Sequence, residues 1–183
     1  MMTSILKKAP THRLLITLLS GFLFLTACTE SADRFFGIAV LNTNILREFG
    51  TPTFAKRLND ETKEFPGVPA SKKNGDEAQK NISNQILYIE KCIKDINGLS
   101  ESGVKKEIKS ASLELFELVL PVYKNEYMAY AKLCDAKGTQ EQKDLIIKGI
   151  DEKYNEIFEK KYIHLLEKGK AFAQDNNLNV KWD

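Results

Sequence analysis

The chain reads as an all-α protein, an antiparallel bundle of about four long helices with a short extra helical segment. Three observations predict this. Apolar residues recur at spacings of three and four over long stretches, the period of a helix with one buried face. Gly, Pro, Asp and Thr punctuate those stretches where helices start and stop. Alternation of the strand type is absent until the last few residues, Leu178, Val180 and Trp182.

The first helix is expected over Asp33 to Phe49, where Phe35, Ile38, Ala39, Ile45, Leu46 and Phe49 share a face and Gly50-Thr51-Pro52 ends the run. A weaker segment, Thr53 to Phe65, carries Phe54, Leu58 and Phe65 and supplies the short extra helix. Pro66 to Gly75 is a loop. The second long helix opens at Asp76, with Gln79 three residues on in the capping-box pattern. Its stripe Ile82, Ile86, Ile89, Ile93 and Ile96 is spaced 4-3-4-3, a bundle seam. Gly98 closes it, and Leu99 to Gly103 is a tight connection.

The third helix is expected from Val104 to Lys137. One stripe runs through Ile108, Ala111, Leu115, Leu118, Val122, Ala129 and Leu133, and a second through Phe116, Leu120, Tyr123, Tyr127, Tyr130 and Cys134. A helix apolar on two faces packs on more than one side. Pro121 lies inside it and predicts a kink, since it has no N–H to bond back to residue 117. Gly138 then stops the helix, and Thr139 with Gln142 forms a capping box for the fourth, which runs to about Asp175. The tail beyond Asn176-Asn177 is expected either as an extended strip on the bundle or as a free terminus.

The N-terminus is of another kind. Lys7, Lys8 and Arg13 precede an apolar run, Leu14 to Leu25, too short to span a bilayer. Leu25-Thr26-Ala27-Cys28 follows. These residues resemble the lipobox of bacterial lipoprotein precursors. The resemblance covers the first 28 residues only. It implies a signal peptide over 1–27, cleavage before Cys28, a diacylglyceryl group on the Cys28 sulfur and an acyl chain such as palmitate on the new amine. The mature domain, 28–183, would then be tethered to a membrane of the cell envelope. In Gram-negative lipoproteins an Asp after the cysteine favours the inner membrane; here it is Thr29, which points to the outer membrane, facing the periplasm. The alternative is an ordinary secretory signal in which Cys28 has no role. The gap from Cys28 to Phe35 is short, so the domain is expected close to the bilayer.

Loss of residues 1–27 removes three of the 27 Lys and Arg and none of the 25 Asp and Glu, leaving one net negative charge. That gives no electrostatic case for nucleic acid. Lys72-Lys73 and Lys105-Lys106 have acids nearby and read as solvated faces. Cys92 and Cys134 are a pair in an oxidising compartment, which favours a disulfide. In a plain hairpin about Leu99–Gly103, however, they differ in height by roughly 35 Å, far beyond the reach of a bond, so the geometry favours two buried thiols.

Chemistry is sparse after Cys28. His164 is the only histidine of the mature chain, and Lys161 stands where a Glu-x-x-His metal pair needs its acid. No zinc, haem or phosphate-loop pattern is present, so no metal and no cofactor is expected. The acid pairs Glu114 and Glu117, and Glu156 and Glu159, read as solvated helix faces rather than a glycosidase pair. Tyr123, Tyr127 and Tyr130 could line a groove beside Pro121, with apolar bodies and hydroxyl tips, or could be core with tips at the surface. They and Trp182 are the candidate ligand or partner contacts. The function expected is a non-catalytic, membrane-anchored helical domain that binds a protein partner or a small apolar ligand. The alternatives are an immunity or inhibitor lipoprotein against an exported toxin, and an enzyme of unrecognised type.

Overall fold

The computed structural model describes residues 30–182. Residues 1–27, expected to be a signal peptide, and Cys28, the expected lipidation site, lie outside the described residues, as does Asp183. From Ala32 onward the chain packs as one unit, and among the described residues its regular elements are all helical. We label the helices α1 (Ala32–Ala39), α2 (Pro52–Asp60), α3 (Glu77–Asn97), α4 (Val104–Val122), α5 (Met128–Asp135), α6 (Gln140–Ile150) and α7 (Glu156–Asp175).

Two of the four long elements are composite. α4 and α5 are joined by a π turn over Tyr123–Tyr127, and α6 and α7 by another over Asp151–Asn155. Cross-element bonds fix the directions. Lys161 pairs with Glu114 and Lys168 with Glu107, each at 2.6 Å, so α7 runs antiparallel to α4. At the far end of α3, Ala78 N–H donates to the Asp135 carboxylate of α5 at 3.0 Å. At its near end, Lys109 Nζ of α4 reaches the Asn97 and Leu99 carbonyls at 2.9 Å. That side chain is buried although it is a lysine, because it satisfies carbonyls left open at the end of α3 and pairs with Glu101 at 2.7 Å. α3 therefore runs antiparallel to α4 and α5. Ile82, Ile89 and Ile96 of its stripe are wholly buried, and Ile86 and Ile93 flank them.

Four local expectations need correction. The first helix does not run through to Phe49. α1 ends at Ala39, and Leu41–Leu46 is a tighter 3₁₀ turn. Thr43 is the cause: its buried hydroxyl donates to the Val40 carbonyl at 2.6 Å, competing with the α-helical ladder. Gly50-Thr51-Pro52 is a start as well as a stop, since Thr51 accepts from Phe54 N–H and Pro52 opens α2. Asp76 does not cap α3. Its carboxylate is engaged by Lys80 at 2.9 Å, and the orphan N–H groups of Ala78 and Gln79 go to Asp135, 57 and 56 residues away. Finally, the left-handed residue that stops α5 is Lys137 (φ +54°), not Gly138. Lys137 N–H donates to the Cys134 carbonyl and Gly138 N–H to the Leu133 carbonyl, the paired bonds of a Schellman stop. Gly138 serves packing instead: a Cβ there would sit 3.0 Å from Leu133 Cδ2.

Thr139 and Gln142 form the capping box of α6 as read. Pro121 lies within the last turn of α4, just before the π turn over Tyr123–Tyr127, and Asn125 Nδ2 donates to the Pro121 carbonyl at 2.9 Å. Cys92 and Cys134 are both free and buried. Cys134 adjoins Asp135, which grips the start of α3, whereas Cys92 lies 14 residues further along that helix, about 20 Å at 1.5 Å per residue. Burial pushes the Cys92 thiol up to about 11.

α1 is the cross-piece. Its Phe35 and Phe36 sit against Phe172 of α7 with ring centroids 5.2 and 6.4 Å apart. Gly169 of α7 permits the approach, since a Cβ there would lie 2.8 Å from Val40 Cγ1. The tail packs as an extended strip: Leu178 and Val180 lie on the core, and Trp182 meets the Phe36 ring edge-on at 5.9 Å.

Candidate functional site

The two π turns meet. Tyr154 of the second donates to Glu126 Oε1 of the first at 3.1 Å. Both also converge on Gly50. Its N–H donates to the Tyr127 hydroxyl at 2.8 Å, and the Asn155 side chain closes over its other face, 3.1 Å from where a Cβ would stand. Gly50 has φ +74°, a conformation side chains resist. π turns inside long helices are frequent at functional sites, and a cleft opens beside this junction at Gly50 and Asn155.

The tyrosine stripe forms the inner side of the junction. Tyr123, Tyr127 and Tyr130 are buried, with hydroxyl tips directed inward rather than to the surface. Tyr130 donates to the Ala55 carbonyl at 3.0 Å. Phe49 and Phe54, on either side of Gly50-Thr51 and the start of α2, plug into the tyrosines. Phe54 and Tyr127 are 4.8 Å apart, as are Tyr123 and Tyr127, and Phe49 meets Phe158 at 4.7 Å. Burial pushes the Tyr127 phenol up to about 12 and raises Tyr123 and Tyr130 as well. The stripe thus seats the loop.

On the outer side of the same loop lies a cleft of about 690 Å³, within the range of small-ligand and peptide sites. One wall is the loop from Arg47 to Pro52. The other is a single face of α6, the second π turn and α7, from Asp144 to Ile163. Phe49 and Phe158 make its floor, and Tyr162 extends it, stacked on Phe158 at 5.6 Å with 16° between the rings. Three polar groups stand over this floor with no hydrogen bond or ion pair among the described residues: the Arg47 guanidinium, the Asn155 carboxamide and the Tyr162 hydroxyl. Tyr162 is raised by burial and partly offset by the Arg47 charge. Asp144, Lys148, Asp151 and Glu159 line the rest of the cleft.

Trp182, 38% exposed, lies on a separate hollow of about 180 Å³ that shares Arg47 and Tyr162 with the cleft and also touches Leu41. His164 is exposed. The acid Glu114 is held down by Lys161 and Glu156 by Lys160, as on a solvated face. Among the described residues no cluster of His, Cys, Asp and Glu is arranged to hold a metal, and no helix is long and apolar enough to cross a membrane. No protein-family model, curated protein or solved structure matches the chain.

Arg47, Asn155 and Tyr162 were not legible as site residues. The i, i+4 pair Phe158 and Tyr162 was the one available signal, and in isolation it reads as packing.

Proposed function

We propose that this chain is a lipid-anchored protein of a bacterial cell envelope, whose helical domain is a non-catalytic module that binds an extended peptide segment of a partner protein in the Arg47–Tyr162 cleft. The anchor rests on the resemblance of Leu25-Thr26-Ala27-Cys28 to a lipobox. The binding role rests on one observation: an aromatic floor lined by three polar side chains that have no hydrogen bond or ion pair among the described residues. A carboxamide such as Asn155 offers both donor and acceptor and matches the N–H and C=O of one extended residue. Arg47 takes a carbonyl or carboxylate. The Phe49, Phe158 and Tyr162 surface takes the apolar side chain between them.

Site-specific photocrosslinking of the acylated protein in its native envelope tests this. A crosslinker at Ile163, on the cleft rim, is expected to capture one protein that a crosslinker at Leu87 does not. That product should be lost in Asn155→Ala and in Tyr162→Ser. Capture that is equal at Leu87, or unaffected by those substitutions, overturns the reading.

A further inference from the structure

The tail and the first turn of α4 each bring a residue against α1. Lys181-Trp182 lies against Phe36, with the indole 5.9 Å from that ring. The Lys105 ammonium stands 5.0 Å over the Phe35 face, and Val104 precedes it at the start of α4. Val104 is 51% exposed and Trp182 38% exposed, and Leu41 shares the hollow beside the indole. A tryptophan and an exposed aliphatic, each next to a lysine, are the side-chain types that settle where hydrocarbon meets headgroups: an apolar body goes down and a polar end stays in water.

Chain length says what covers this face. α1 begins at Ala32, four residues after Cys28. Four residues reach at most about 14 Å, and Phe36 lies one helical turn further on. If Cys28 carries acyl chains, the α1 edge cannot leave the bilayer by more than that short reach.

We infer that the α1 edge, with Trp182 and Val104 as its apolar contacts and Lys181 and Lys105 beside them, rests on the lipid surface and fixes the orientation of the domain. This rests on the anchor reading given above. Trp182 is the only tryptophan of the chain, so its fluorescence reports the contact directly.

The acylated protein is reconstituted into phosphatidylcholine vesicles with brominated acyl chains, and the mass of its N-terminal peptide is measured first. The expected result is acylated Cys28, a blue-shifted indole and loss of Trp182 emission in the brominated vesicles. The W182F/L145W protein, whose indole stands on α6 away from α1, should keep its emission. An unmodified cysteine would remove the anchor and the inference together. An acylated protein whose Trp182 emission survives, or whose two indoles are quenched alike, would leave the anchor standing and overturn the lipid-facing edge.

Discussion

The two π turns are the same backbone irregularity in opposite surroundings. The turn at Tyr123–Tyr127 follows a proline and places both of its aromatic residues in the core. The turn at Asp151–Asn155 follows no proline, buries none of its residues and turns Asn155 toward a cleft. The first distorts the helix to fill space, and its polar tips are consumed by Gly50 and by Glu126's contact with Tyr154. The second leaves a carboxamide unspent. A π turn by itself therefore says little; what its side chains are left to do says whether it serves packing or binding.

If the inner turn is packing, its partners should be costly to remove. Phe49→Ala takes away the ring that touches Tyr123, Tyr127 and Phe158 together, and the expected loss is about 3–5 kcal/mol in urea unfolding. A loss under about 1 kcal/mol, the level of an exposed aromatic, would mean that the loop is not seated in the core. The buried phenols add a pH dependence. The Tyr127 phenol ionises near 10 when unfolded and is pushed up to about 12 in the fold, so the native state holds its proton longer. That stabilisation is complete below pH 10 and is lost as pH rises from 10 toward about 12. Alkaline titration followed by circular dichroism should show unfolding in that window. Tyr127→Phe should reduce its steepness.

Tyr127→Phe also strips the acceptor from Gly50 N–H, a buried bond. An unsatisfied buried donor costs about 1–3 kcal/mol. Gly50→Ala is smaller but more diagnostic. The left-handed backbone costs about 1–2 kcal/mol for a residue with a Cβ, and that Cβ would also press on Asn155 at 3.1 Å. Repeating Gly50→Ala in an Asn155→Ala background separates the two. If the cost falls in that background, the contact with the outer turn is real. If it is unchanged, the cost is backbone alone.

Sequence periodicity carried the long elements well, because 4-3 spacing over α3 and paired caps at Thr139 and Gln142 are local signals. It failed wherever a distant residue decided the outcome. Asp135 caps a helix 57 residues away, and Thr43 breaks one because its hydroxyl is buried against Val40. The tyrosine stripe was visible, but its facing was not: all three rings are buried, and the Tyr127 and Tyr130 hydroxyls bond to backbone groups of Gly50 and Ala55 far away in sequence. The cleft was the least legible feature. Its walls come from residues 47–52 and 144–163, which no spacing rule connects. Its three polar groups are ordinary surface types, set apart only by making no hydrogen bond or ion pair among the described residues.

The smallest stability effect carries the comparison furthest. Asn155→Ala removes a half-buried carboxamide with no hydrogen bond among the described residues and relieves its pressure on Gly50. A surface change without lost contacts lies within about 0.5 kcal/mol of neutral. The same substitution should abolish the cleft-dependent crosslink, because it removes a carboxamide that lines the cleft. A residue that costs nothing to fold and everything to bind belongs to a site. Should Asn155→Ala instead destabilise the domain as Tyr127→Phe does, the outer turn would be packing like the inner one, and the difference between the two would collapse.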